Sequence, residues 1–386
     1  MSPSANSPGP DGPATRFAVV GVPGNRRVAL FRDAVRAAGL PPVRVVPWLD
    51  VLRGEAVFRP GETVRVDSPG EDAEVERRLR AVEDPTRVEG TALWYARFTA
   101  AARSVARMAG EAGAVLLDDP GDIAVLFDKR LCHAVLDRAG VPVPPSPTSG
   151  PAAPAVRDWA DVRERMEAHR MRRAFVKLAH GSSASGVLAV ETGGPGRVRA
   201  TTSVERDADG RLFNSLRVRR CSTEREISEI VDALAPDGLH MERWLPKATR
   251  HGRAADLRVV VVAGRATHAV VRTSRSPMTN LHLGGARGSL DDFRAAVRAA
   301  GGDWAEALTV CERAAACFPD TLCVGVDLLP SSDLRRFAVC EVNAFGDLLP
   351  RLTGLPGSGA EGLDTYAAQV AAVLNRARNL RATATH

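Results

Sequence analysis

Two apolar strands near 322–329 and 336–343 are each interrupted by acid. The first carries Gly325-Val-Asp327-Leu-Leu-Pro and the second Val339-Cys-Glu341-Val-Asn343, joined by the turn Ser331-Ser-Asp-Leu-Arg335. A hairpin centred near residue 334 sets Asp327 and Glu341 opposite each other, and puts Glu341 and Asn343 on one face. Like charges directly opposed on a sheet repel unless a cation lies among them. Two carboxylates and an amide oxygen are a donor set for a hard ion such as Mg²⁺. The chain must therefore build an antiparallel sheet whose acid-bearing face lines a site. The competing reading, a solvated sheet face, fits poorly with the flanking Val, Leu and Cys.

The lysines narrow the reading further. Of 52 basic residues only three are lysine: Lys129, Lys177 and Lys247. In a chain that uses arginine for its general surface, a retained lysine marks a place needing a compact ammonium, which a planar guanidinium does not copy. Lys177 ends an apolar strand, Phe175-Val-Lys177, and the loop Gly181-Ser182-Ser183-Ala-Ser185-Gly186 follows. Such a loop lets backbone N–H groups approach phosphate oxygens while the ammonium neutralises charge. It is not a P-loop, since Val187 follows Gly186; taken alone, a flexible polar hairpin explains it equally well. A third group, Asp256-Leu-Arg258 and Val270-Val-Arg272 before Met278-Thr-Asn280, ends buried strands in arginines suited to phosphate or carboxylate, or to salt bridges at a sheet edge. His240-Met-Glu242-Arg243-Trp244-Leu245 puts an acid and an aromatic at a strand end before proline.

The rest of the chain frames these pieces. Its 386 residues suggest two or three domains. Residues 1–14 read as a disordered leader and 15–125 as an α/β unit. That unit opens with Phe17-Ala-Val-Val-Gly-Val22, whose GVPGN turn is no dinucleotide fingerprint. Residues 126–235 carry the lysine loop, and 236–386 the acid-bearing hairpin and a closing helix near 361–377. One helix is predicted over 290–317. With 45% apolar and 25% charged residues the chain reads as globular, and its net charge of +6 has no basic run to mark a nucleic-acid arm. The six cysteines lack C-x-x-C spacing and read as small buried hydrophobes, without a structural metal. No apolar stretch suits a membrane span or secretory signal, so the cytoplasm is the expected location.

Taken in order, these motifs over roughly residues 120–350 resemble the ATP-grasp superfamily, nearest to its glutathione synthetase and ribosomal-protein glutamate ligase branch. The resemblance rests on Asp128-Lys129, Gly140-Val-Pro-Val-Pro144, Val176-Lys177 with its loop, Glu242-Arg-Trp-Leu245, Asp256-Leu-Arg258, Thr279-Asn-Leu-His-Leu-Gly-Gly285, Gly325-Val-Asp327 and Glu341-Val-Asn343. It implies an α/β N-terminal domain followed by an α+β fold of two subdomains clasping ATP between antiparallel sheets. In that frame Lys129, Lys177, Gly181, Ser182, Ser183, Ser185 and Gly186 hold phosphates. Glu242 receives the adenine amine, and the backbone of Arg243, Trp244 and Leu245 lines the base. Asp327, Glu341 and Asn343 carry two Mg²⁺ ions, with Mn²⁺ as an alternative. Arg258 and Arg272 stabilise the acyl-phosphate and tetrahedral states, with Asn280 near the acceptor.

The implied reaction joins a carboxylate to an amine with release of ADP and phosphate. A small-molecule kinase and a silent nucleotide-binding scaffold are the alternatives. The expected partners are a small-molecule or peptide carboxylate and an amine, with neither nucleic acid nor membrane; the sequence leaves the oligomeric state open, a homodimer being usual among the proteins it resembles. Two departures stand out. No second acid follows Glu242 before Asp256 to hold the ribose, and Ala344-Phe-Gly-Asp347-Leu-Leu-Pro350 departs from the well-characterised ligases, with Asp347 and Arg351 either facing the substrate or belonging to a turn that packs Phe345 and Leu348. Lys247 faces either the nucleotide or the surface.

Overall fold

The computed structural model of the chain describes residues 15–182, 184–193, 197–346 and 349–384. The leader 1–14, Ser183 and Asp347 lie outside the described residues. Strands β1 (Arg16–Gly21), β2 (Arg44–Pro47), β3 (Glu62–Val66) and β4 (Val115–Leu116) form a parallel sheet in the order β2-β1-β3-β4. A second, antiparallel sheet joins β5 (Arg173–Leu178), β6 (Leu188–Thr192), β7 (Val198–Arg206), β8 (Leu212–Cys221) and β9 (Leu239–Arg243) in the order β8-β7-β6-β5-β9. The third contains β10 (Thr249–Arg250), β11 (Arg253–Val262), β12 (Arg265–Ser274), β13 (Ala286–Gly288), β14 (Cys323–Pro330) and β15 (Phe337–Ala344). Its path is β13-β12-β11-β14-β15, with β10 paired to β11. The antiparallel character expected of the second half is therefore present in two separate sheets. β9 belongs to the second of the three, beyond the boundary drawn at 235.

Each sheet buries an apolar face beneath helices. Helices Leu290–Ala299 and Trp304–Ala315 cover the third sheet through Phe293, Val297, Val310 and Cys311, against Val259, Val326 and Val342. Helices Trp159–Ala168 and Glu224–Leu234 cover the second through Val162, Met166, Ile227 and Val231. The helix predicted over 290–317 is thus two helices. The break falls at Gly301, with φ +75°, and Gly302, where a Cβ would lie 2.2 Å from the Leu334 carbonyl oxygen; Asp303 then caps the second helix. The hairpin turn packs into the break, which is why no side chain fits there. β7 has no counterpart in the sequence reading: it buries Val198, Ala200, Thr202 and Val204 on one face, and the polar run Thr201-Thr202-Ser203 interrupts the alternation. The closing helix, Thr365–Ala384, returns to the first domain, where Tyr366 and Val370 pack with Phe17 and Phe31.

The acid-bearing hairpin has the predicted pairing. Asp327 lies opposite Glu341, and Gly325 opposite Asn343. The register then shifts between Asp327 and Leu328, so that Leu328 pairs with Val339 and Cys340 is left over as a bulge. Gly325 is sterically required: a Cβ there would meet the Gly346 carbonyl oxygen at 2.9 Å and Arg258 Nη1 at 3.0 Å. Gly325→Ala is expected to destabilise the chain by about 1–3 kcal/mol, the usual cost of overpacking. A lowered urea midpoint with an unchanged slope would show it, and an unchanged midpoint would refute the close approach.

Candidate functional site

Cross-strand pairing lays out a lattice of charge on the third sheet. Asp256 pairs with Arg272 on β11 and β12, Arg258 with Asp327 on β11 and β14, and Asp327 with Glu341 on β14 and β15. The side chains follow the register. Arg258 donates from Nε to Asp327 Oδ1 at 2.6 Å and from Nη2 to Oδ2 at 3.1 Å. Arg272 spans two acids, with Nε 2.9 Å from Asp256 Oδ1 and Nη2 2.9 Å from Asp327 Oδ1. Asp256 Oδ2 takes Lys247 Nζ at 3.1 Å and the Thr279 hydroxyl, and Lys247 also donates to Thr279 Oγ1 at 3.2 Å. Lys247 therefore faces this lattice and not the surface. Burial pushes the Asp256 carboxyl up, but Arg272 and Lys247 outweigh it and hold it well below the usual carboxylate range.

The second sheet presents a matching face. Lys177 and His240 are register partners on β5 and β9, and Glu242 lies two residues along from His240. Lys177 Nζ donates to Glu242 Oε1, and both side chains are buried. Burial pushes the Glu242 carboxyl up, yet Lys177 and His240 bring it down to about 2. For Lys177 burial acts downward, while Cys340, Glu242 and Glu341 together hold it above the ordinary lysine value.

Contacts of Lys129 and Cys340 join the sheets here. Lys129, at the start of the helix Lys129–Arg138 capped by Asp128, donates to Glu341 Oε1 at 2.7 Å and to the Gly181 carbonyl at 2.6 Å. Burial raises the Glu341 carboxyl, but Lys129 and Lys177 leave it below its usual value. The bulged Cys340 reaches across, its Sγ 3.5 Å from Lys177 Nζ and 3.6 Å from Glu242 Oε1. Reading all six cysteines as hydrophobic filler is corrected here. The bulge turns Cys340 out of the sheet core, and burial beside Glu242 pushes its thiol up to about 12. Among the described residues all six are free thiols.

The loop after β5 is tight. Ser185 N–H donates to the Ser182 carbonyl at 2.9 Å, Gly186 has φ +66°, and a Cβ at Gly186 would lie 2.5 Å from Leu178 Cδ1. Beyond Glu242, the Arg243 amide donates to the Pro145 carbonyl and the Trp244 amide to the Arg173 carbonyl. The Arg243 side chain turns away to the His169 carbonyl, whereas Trp244 packs on Phe175 with ring centroids 5.3 Å apart. Leu245 is half-buried beside them. Asn280 begins the turn Leu281–Leu283, and its carbonyl accepts from Leu283 and Gly285. Its neighbour Thr279 ties this loop to Asp256. Of the expected residues among those described, Lys129, Gly181, Lys177, Glu242, Arg258, Arg272, Asp327 and Glu341 share side-chain contacts or strand register, whereas the Arg243 side chain points elsewhere. Sequence reasoning missed His240, although its spacing of two from Glu242 was visible, and Cys340, which no alternation rule assigns to the face of Glu341.

Among the described residues no group of three or more His, Cys, Asp or Glu side chains is arranged to hold a metal ion. The expected set uses an amide as its third donor. The Asn343 Nδ2 donates to the Gly325 carbonyl at 3.3 Å, so the amide oxygen is the atom with which Asn343 would act as a ligand. This donor set fits a Mg²⁺ ion that takes one or two carboxylates and completes its shell with substrate phosphates and water.

No family model matches the sequence, and no curated protein matches it either. Solved structures do match in shape. The ATP-grasp ligase PsnB, complexed with a minimal precursor, superposes with a TM-score of 0.52 at 17% identity, over 93% of this chain and 99% of that one. The macrocyclase MdnC from Microcystis aeruginosa, bound with precursor peptide MdnA, gives 0.52 at 11% identity over 93% and 99%. D-alanine–D-alanine ligase from Bacillus anthracis, complexed with ATP, gives 0.51 at 10% over 96% and 99%. The chain has the ATP-grasp fold. The likeness extends over the N-terminal sheet as well as the two antiparallel sheets that meet at Lys129, Cys340 and Glu341.

Two outcomes follow from the charge buried at Lys177 and Glu242. Removing one member of a buried ion pair strands the other, at a cost of about 3–5 kcal/mol. Lys177→Met and Glu242→Leu are each expected to lose about that much stability, and the double variant less than their sum, in urea unfolding; strict additivity would show that the pair does not interact. Because the Glu242 carboxyl titrates lower folded than unfolded, its stabilisation is complete above 4.5 and is lost as pH falls toward about 2. Glu242→Gln should therefore show a flatter fall in stability across that window than the parent chain.

Proposed function

We propose that the chain is an ATP-dependent carboxylate–amine ligase, in the manner of the glutathione synthetase and ribosomal-protein glutamate ligase branch. The observation that carries the reading is an orphaned atom. Glu242 is 2% exposed, its Oε1 is held by Lys177, and its Oε2 has no hydrogen-bond partner. A buried carboxylate oxygen without a donor is costly unless a ligand supplies one, and the exocyclic amine of adenine is such a donor. Phe175 and Trp244 stand beside it as apolar walls for a base.

The remaining residues act on the phosphates and the reacting carboxylate. Lys129 and Lys177 bring ammonium charge to the phosphates, and Gly181, Ser182, Ser185 and Gly186 offer a close backbone approach; Ser183 is assigned here from the sequence pattern alone. Asp327, Glu341 and Asn343 would hold Mg²⁺, which neutralises phosphate oxygens when bound. A substrate carboxylate oxygen attacks the γ-phosphorus, the bond to the β-phosphate oxygen breaks, and ADP leaves. Arg258 and Arg272, fixed by Asp327 and Asp256, then stabilise the acyl phosphate and the oxyanion that forms as an amine adds to its carbonyl. Collapse expels phosphate and the ammonium proton passes to solvent, leaving an amide. This chemistry is positioning and charge neutralisation throughout. Asn280 and the loop it begins are the acceptor side. PsnB and MdnC were solved with precursor peptides, so a peptide carboxylate or amine belongs among the substrates to test.

The test is ADP release from Mg·ATP against pooled carboxylates, with and without pooled amines and short peptides, followed by product mass. ADP and a condensation mass only with both pools support the ligase. A phosphorylated product without an amide would make it a kinase, and nucleotide binding without turnover a scaffold. Lys177→Ala should abolish nucleotide binding. Glu341→Gln should leave much of the affinity and reduce turnover by at least a hundredfold; normal turnover in Glu341→Gln would overturn the metal assignment.

A further inference from the structure

We infer that His240 is a positioning residue for the nucleotide base: held by Thr148 as its Nε2–H tautomer, it aims that proton at Glu242 Oε2 and fixes the carboxylate where a base is read. The inference rests on the nucleotide reading above and adds to it a residue that sets base selectivity.

His240 is 2% exposed, and its two ring nitrogens have unequal surroundings. Nδ1 lies 3.1 Å from Thr148 Oγ1. That hydroxyl oxygen accepts from the Met241 amide at 2.8 Å, and its one proton has two acceptors within reach, Nδ1 at 3.1 Å and the Met241 carbonyl at 3.3 Å. The carbonyl already accepts from Ser146 Oγ at 2.6 Å, so the shorter contact, to the imidazole, takes the proton. Nε2 lies 3.6 Å from Glu242 Oε2. A lone pair on Nε2 would face a carboxylate oxygen in a buried pocket, acceptor against acceptor, which low dielectric makes expensive. The proton therefore sits on Nε2 and Nδ1 accepts from Thr148. Burial depresses the His240 imidazole against the pull of Glu242, which keeps the ring neutral with a single proton to place.

The support for Thr148 is itself fixed. His133 Nε2 meets the Pro144 carbonyl at 2.7 Å and its Nδ1 meets Ser149 Oγ at 2.9 Å, locking the proline-rich segment onto the helix Lys129–Arg138. Glu242 is consequently held at Oε1 and faced at Oε2. Lys177 and Cys340 stand at Oε1, and His240 stands 3.6 Å from Oε2, a gap that a few tenths of an ångström would close. Where adenine presents an amine guanine presents a carbonyl, so an immobile carboxylate accepts the first and repels the second.

The experiment is calorimetric binding of Mg·AMPPNP and Mg·GMPPNP to the full chain and its variants. The parent chain should prefer AMPPNP. His240→Leu should weaken AMPPNP about tenfold, the worth of a hydrogen bond to a charged group, and leave GMPPNP unchanged, so that the preference collapses. His240→Gln, whose side-chain N–H reaches toward the same oxygen, should restore most of it. An unchanged preference in His240→Leu, or an equal loss for both nucleotides, would reduce His240 to a structural residue and overturn the inference while leaving the nucleotide site standing. If the parent chain bound neither analogue, the nucleotide reading itself would fall. Should His240→Leu not fold, ¹⁵N-histidine NMR of the parent chain decides, the signal being assigned by its loss in His240→Gln: an Nε2–H tautomer supports the inference and an Nδ1–H tautomer overturns it.

Discussion

Four carboxylates, Glu242, Asp256, Asp327 and Glu341, meet five cationic side chains, Lys129, Lys177, Lys247, Arg258 and Arg272, in one largely buried cluster. No pair in it is tolerable alone, because taking an ion out of water costs several kcal/mol and mutual attraction repays this only in good geometry. The cations come from a helix start, two sheets and the segment between them. The cluster therefore closes only when both antiparallel sheets and the segment bearing Lys129 are in place. Much of the architecture, including the break after Ala299 that admits the hairpin turn and the glycine at 325 that admits Arg258, serves that closure.

The excess of one positive charge has a chemical sense. Each of these acids is met by a lysine or arginine of the chain itself, and in the proposed reading the same cations are the groups a polyphosphate would seek. Arg258 and Arg272 meet at Asp327, one of the acids assigned to the metal, so ligand and ion would redistribute contacts already made rather than assemble them from solvent. Such preorganisation is where an electrostatic site gains over water.

How much of this was legible depended on whether local periodicity survived. Counting outward from the Pro330–Phe337 pair alone would set Asp327 opposite Cys340, and the one-residue shift at the bulge is what brings Asp327 opposite Glu341, the pairing that a centre near 334 gives. Cys340 was illegible for the same reason, since alternation assigns it to the core face. The three lysines were legible through scarcity alone, and Lys247 resolved only when the fold brought β11 and Thr279 beside it. β7 was invisible because the polar run Thr201-Thr202-Ser203 interrupts its aliphatic face. The return of the last helix to Phe17 and Phe31 is a contact across nearly the whole chain, which no local pattern encodes.

The neutral groups around Glu242 complete the argument. A second cation at Oε2 would satisfy the carboxylate fully and leave nothing for a base to donate to. Leaving it empty would let the carboxylate rotate. His240, neutral and with one proton to give, restrains the oxygen while leaving it a lone pair, and Cys340, a weak donor with its thiol held protonated, does the same at Oε1 beside Lys177. Around a buried acid that must both stay charged and still accept, weak neutral donors at the flanks of one strong cation are the arrangement that meets both demands.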